Sequence, residues 1–123
     1  MAQLDAREAA AHRKATTMST ADVAAFLQEI FGQKLVAFMT DADAKTVRRW
    51  SEGTPPRAEA ESRLRAIQQI YELLVQVESP HTIRAWFIGM NPQLADDLSP
   101  SEAIREGNLR DALAAAKAFM SGG

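Results

Sequence analysis

The stretch that decides the fold runs from Leu35 to Gly53, "LVAFMTDADAKTVRRWSEG". It reads as two short helices about a tight turn. The first carries Leu35, Val36, Phe38 and Met39, and Asp41-Ala42 turns the chain. Asp43 is placed to cap the second helix, because a side-chain oxygen at that position accepts an otherwise free amide of the first turn. Val47 and Trp50, three apart, share one face and are expected to point inward. Lys45, Arg48 and Arg49 fall off that stripe and are expected to face solvent. Gly53 stops the helix. A short, rigid helix with cationic and polar residues on its outer face, backed by a second helix, is what reading a DNA groove requires. Arginine can bond two acceptors on a guanine edge, and Lys and Thr can reach phosphates. Lys45, Thr46, Arg48 and Arg49 are therefore the candidate DNA-contacting residues. The competing possibility is that these cations are the wet face of a helical hairpin.

Outward from this hairpin the same helical periodicity continues. Before it, "STADVAAFLQEIFG" places Val23, Phe26, Leu27, Ile30 and Phe31 on one stripe, with Ser19 or Thr20 as cap and Gly32 as terminator. After "TPP", the spacing of Ala60, Leu64, Ile67, Tyr71 and Leu74 predicts a helix over about 58–77 with a heptad-like seam. That seam is a candidate dimer surface. Ser79 and Pro80 open another helix, bearing Ile83, Trp86 and Phe87. "MNPQLADDL" is expected to be a short helix capped by Asn91. Ser99 and Glu102 have capping-box spacing, with Pro100 at the first helical position and Gly107 closing the segment. The last helix is expected to present Leu109, Ala112, Leu113, Ala116, Phe119 and Met120 on one face. Residues 1–17, alanine-rich and charged, show no such stripe and read as a frayed helix or an arm. No run alternates as a half-buried strand does. The expected fold is all-α, a small multi-helix bundle. Its expected parts are an arm (1–17), a helix-turn-helix part with dimerisation helices (18–78) and a compact helical C-terminal part (79–123).

Composition narrows the function. The chain has 123 residues and 46% hydrophobic residues, enough for a core. It has no cysteine, so disulfides and thiol chemistry are excluded. No run approaches the roughly 18 to 20 apolar residues of a membrane span, and the N-terminus lacks the apolar core of a secretory signal. A cytoplasmic location and no membrane partner are expected. The formal net charge is −2, yet residues 45–65 hold six Lys/Arg against three Asp/Glu. DNA contact would therefore be confined to a local patch, since phosphate attraction follows local cation count. Asp41 and Asp43, at the start of the basic helix, weigh against it. Nucleotide-loop, zinc-protease and nucleophile-elbow motifs are absent, His12 and His81 are isolated, and Asp96-Asp97 point apart on a helix. No enzymatic role and no cofactor are expected.

The stretch "IRAWFIGMNPQLADDLSPSEAIREGNLRDALAAAKAF" resembles the toxin-binding domain of the Xre/MbcA/ParS family of antitoxins. The resemblance lies in Trp86, Asn91-Pro92, Leu94, Pro100 with Glu102, and Gly107. Upstream, Thr46, Val47, Arg49, Trp50 and Gly53, with Arg63-Leu64 in the next helix, are similar to the Xre-like region of the same family. The acidic turn Asp41-Ala42-Asp43 departs from the neutral turn usual there. The resemblance implies the antitoxin of a type II toxin–antitoxin pair, whose partner is a RES-domain toxin that degrades NAD. It further implies a dimer that occludes the toxin's cleft and represses its own operon on operator DNA as a complex. Trp86, Asn91, Pro92, Leu94, Lys117, Phe119 and Met120 are the candidate toxin-binding residues. The last helix is expected either to plug the toxin's cleft or to close on Trp86 through Phe119. The alternatives are a stand-alone helix-turn-helix regulator whose C-terminal part oligomerises, or a partition or polar-localisation adaptor.

Overall fold

The computed structural model describes the backbone of residues 2–122 and the side chains of residues 5–122. Met1, in the expected arm, and Gly123, in the expected C-terminal part, lie outside the described residues. Among the described residues the chain is all-helical. In order come α1 (Ala2–Thr17), α2 (Thr20–Phe31), α3 (Gln33–Thr40), α4 (Ala44–Ser51), α5 (Ala58–Leu74), α6 (Pro80–Ile88), α7 (Pro100–Arg105) and α8 (Leu109–Met120). A 3-10 turn, Ala95–Asp97, sits between α6 and α7. Among the described residues no helix is long and apolar enough to cross a membrane.

Local chemistry explains most of the boundaries. Ser19, Asp43, Ser79 and Ser99 each accept the amide three residues on, so four helices start on a satisfied donor. At Ser99 the box is complete, because Glu102 returns a bond to the Ser99 amide at 2.8 Å. Just past α4, Gly53 has a φ of 111°, open to glycine at little cost, and Thr54 donates back to the Arg49 carbonyl.

α5 is the central helix. α1, α2, α7 and α8 pack against it, and α4 is held by α2 and α3. The seam residues Ala60, Leu64, Ile67, Tyr71 and Leu74 are all buried. Their cover comes from the chain's own helices, so this seam is not a free dimer surface. The helix also stops at Leu74 rather than at 77, because Val77 and Glu78 turn back onto the Leu74 carbonyl. A row of edge-on aromatic rings crosses the core. Tyr71 meets Phe31 at 6.2 Å, Phe31 meets Phe87 at 4.9 Å, Phe87 meets Trp86 at 5.1 Å and Trp86 meets Phe119 at 6.4 Å. Residues on both sides of Ser79 thus share one hydrophobic cluster.

Two further expectations need correcting. Residues 2–17 form a regular helix docked on α5, with Ala11 and Ala15 buried, rather than a frayed end. Its hold is polar as well as apolar. Arg65 donates to the Ala15 carbonyl at 2.8 Å and to that of Met18, Lys14 pairs with Glu72 at 3.2 Å, and Lys117 of α8 pairs with Glu8. Residues 90–98 are not an α-helix. Asn91 Oδ1 takes the Gln93 amide at 2.9 Å, the Asn91 amide donates to the Leu98 carbonyl at 3.1 Å, and Leu94 fills the space inside. The Asn91 side chain turning back on the Gln93 amide and this closing bond favour a compact loop over an α-helix.

Candidate functional site

The first surface is α4. Val47 and Trp50 are buried and anchor it, and Gln28 of α2 reaches the Val47 carbonyl at 3.4 Å. Lys45, Arg48 and Arg49 are exposed, and Thr46 is half-buried. Among the described residues none of the three cations forms an ion pair within 4.0 Å. Their side chains are available to an anionic partner. Arg48 and Arg49 also lie in the last turn, where cations complement the helix dipole. Beside α4 runs an open groove of about 870 Å³, in which Arg49, Arg57 and Arg63 face the carboxylates of Asp41, Asp43 and Glu59. Arg57, exposed on the far side of the proline step, adds one further cation on this side of α4. It falls outside every helical stripe, so periodicity does not single it out.

The two acidic residues of the turn are both occupied. Asp43 Oδ1 accepts the Thr46 amide at 2.7 Å. That bond, then the Thr46 hydroxyl and the neighbouring Arg49 and Lys45, hold its carboxyl below the ordinary 3.8. Asp41 adopts a left-handed backbone, φ 56°, and pairs with Arg105 at 2.8 Å. Aspartate tolerates that conformation better than most residues. Neither carboxylate is left unmatched at the mouth of the helix.

Glu102 behaves similarly, lowered from 4.5 chiefly by the Ser99 amide and then by the Ser99 hydroxyl. For both carboxyls the folded pKa lies below the unfolded one. Their contribution to stability is therefore present above pH 3.8 and 4.5 and is lost as pH falls through the folded values. Between about pH 5 and about pH 3 the urea midpoint should fall. Asp43→Asn keeps a good cap without the charge and should make that fall shallower. An identical pH profile for Asp43→Asn and wild type would remove Asp43 from the account.

A second group of candidate residues lies at and just beyond the end of α6 and in the last turn of α8. Met90 is 80% exposed, Ile88 61% and Phe119 36%, beside a half-buried Trp86. Of the candidate residues, Pro92 is exposed, and Lys117 and Met120 are half-buried. Asn91 and Leu94 are buried and shape the 90–98 loop instead of offering a side chain to a partner. Ile88 and Met90 belong to the crowded apolar run that also holds Trp86, Phe87, Leu94 and Leu98, and they are the two of it left most open to solvent. Phe119 stacks edge-on against Trp86, so the last turn of α8 is docked on the body.

Comparisons with protein-family models, with characterised proteins and with solved structures find no match. The likeness of Trp86, Asn91-Pro92 and Gly107 to the antitoxin family accordingly stands on those residues alone.

Proposed function

We propose that the chain is the antitoxin of a type II toxin–antitoxin pair, neutralising a RES-domain, NAD-degrading toxin and binding operator DNA as part of the complex. The observation that carries this proposal is the exposure of three large apolar side chains, Ile88, Met90 and Phe119, within the segment that resembles the toxin-binding domain. A neutralising protein needs a preformed apolar anchor that excludes water from its partner's cleft. α6 and α8 hold that anchor rigidly, through Phe87 beneath Trp86 and through the Lys117–Glu8 pair. The anchor and the basic helix lie on different elements, α6 and α8 against α4, which suits two partners bound together. Co-expression with the protein encoded beside it is the test. A stable complex and rescue from toxicity are expected. A toxic neighbour that neither binds the chain nor is relieved by it would end the proposal.

Operator binding rests on Lys45, Thr46, Arg48 and Arg49. Three cations per subunit make a weak, salt-sensitive contact, which rigid multiple copies would strengthen. Each phosphate contact contributes about −0.9 to the slope of log K against log salt. Arg48→Ala with Arg49→Ala should make that slope shallower by roughly 2 per bound subunit. An unchanged slope would take both residues out of the interface. The alternative, a stand-alone regulator, uses the same apolar face to pair two copies. A dimer of the isolated chain that dissociates on Met90→Asp, with no neighbouring partner captured, would favour it.

A further inference from the structure

Two helices of this fold end in the same way. At the end of α3, Asp41 has a left-handed backbone and Ala42 donates back to the Ala37 carbonyl at 2.9 Å. At the end of α7, Gly107 (φ 86°) is followed by Asn108, which donates to the Ala103 carbonyl at 2.8 Å. Carbonyls at such endings keep acceptor capacity, and in each case an arginine from another helix uses it, beside the Asp41 amide on the Phe38 carbonyl and the Gly107 amide on that of Ile104. Arg63 of α5 donates from Nε to the Ile104 carbonyl and from Nη2 to the Arg105 carbonyl, both at 3.0 Å. Arg105 of α7 donates from Nη1 to the Phe38 carbonyl at 2.7 Å, and its Nη2 pairs with Asp41. Its guanidinium carbon also lies 4.8 Å from the centre of the Phe38 ring.

We infer that Arg63 and Arg105 form a relay of helix caps, α5 to α7 to the end of α3, in which Arg105 is the positioning residue that sets how α4 leaves the turn. Asp41 stands two residues before Asp43, the cap of α4, so a shift of the turn is a shift of α4. Arg105 touches that turn in three ways at once: a carbonyl, a carboxylate and a ring face. A planar fork of donors suits this task and a lysine does not. The ion pair itself is exposed, with side chains 40% and 65% accessible, and such pairs add little to stability. The gain is directional. On the proposed function above, a partner seated on α6 and α8 that displaces α7 changes how Lys45, Arg48 and Arg49 are presented. By linkage, DNA on α4 changes the affinity for that partner by the same factor.

Hydrogen exchange on the full chain, without DNA or partner, tests the relay. The amides of Asp41, Ala42 and Thr46 are protected by bonds within the turn. Arg105→Ala should speed their exchange by about tenfold or more, while the amides of Ile67 to Leu74 change only as far as global stability does. Arg105→Lys should recover part of that protection. Arg63→Ala removes bonds that go only to α5 and α7, and it should loosen the same three amides. Turn amides that follow global unfolding in every variant would overturn the inference. So would an Arg63→Ala protein whose turn exchanges like wild type. Wild type that binds no duplex DNA would remove operator binding from the proposed function and leave the relay standing.

Discussion

Replacing both Ile88 and Met90 with aspartate should leave the fold intact and weaken partner binding by about a hundredfold or more. Both side chains face solvent, at 61% and 80% exposure. Surface substitutions of that kind shift stability by roughly 0.5 kcal/mol or less. In the proposed complex the same two positions would be the centre of an apolar contact. Anchors there are worth about 2 kcal/mol each or more, and 1.4 kcal/mol is tenfold in affinity. Charge adds to the loss, since a carboxylate pressed into an apolar cleft keeps no partner for its lost hydration. Unfolding midpoint and complex affinity, measured on the same preparation, separate the two effects. An equal midpoint with a greatly weakened complex is expected. Full affinity would move the anchor elsewhere on the molecule.

Phe87→Ala should cost about 3–5 kcal/mol of folding stability. Phe87 is fully buried and joins α6 to α2 through Phe31, while supporting Trp86 from below. Truncation removes buried apolar area and both ring contacts, and leaves a void that rigid helices fill incompletely. Domains of this size hold only about 5–15 kcal/mol in total, so the variant should be marginally stable at ordinary temperature. The α6–α8 surface should lose its shape first, because Trp86 rests on this ring. Urea unfolding with near-ultraviolet dichroism measures both. A loss of less than about 1 kcal/mol would mean that the two halves do not depend on this contact.

Features carried by neighbouring residues were legible in the sequence. The caps at Ser19, Asp43, Ser79 and Ser99 need only a side-chain oxygen and an amide three residues on, and all four form. Burial of Val47 and Trp50, with exposure of Lys45, Arg48 and Arg49, follows from helical spacing alone. α1 was not legible, because its docking face is alanine and its hold depends on Arg65, fifty residues away from Ala15. The α5 stripe showed that a face is covered without showing by what, and the cover is intramolecular. Asn91-Pro92 looked like a helix start because both residue types favour one; the closing bond to Leu98 decides otherwise. The Asp41-Ala42-Asp43 turn read as a repulsive mouth. Its charges are matched by Arg105, sixty-four residues on in the chain, and by the first turn of α4.

On the proposed function, the exposed residues of the 86–120 segment silence an NAD-degrading partner. The most direct measurement of this is NAD consumption by the purified neighbouring toxin, titrated with the chain. Consumption should stop at a fixed molar ratio, and the Ile88→Asp, Met90→Asp protein should fail to stop it at that ratio. Unchanged consumption with saturating wild-type chain, or equal inhibition by the double variant, would contradict the account.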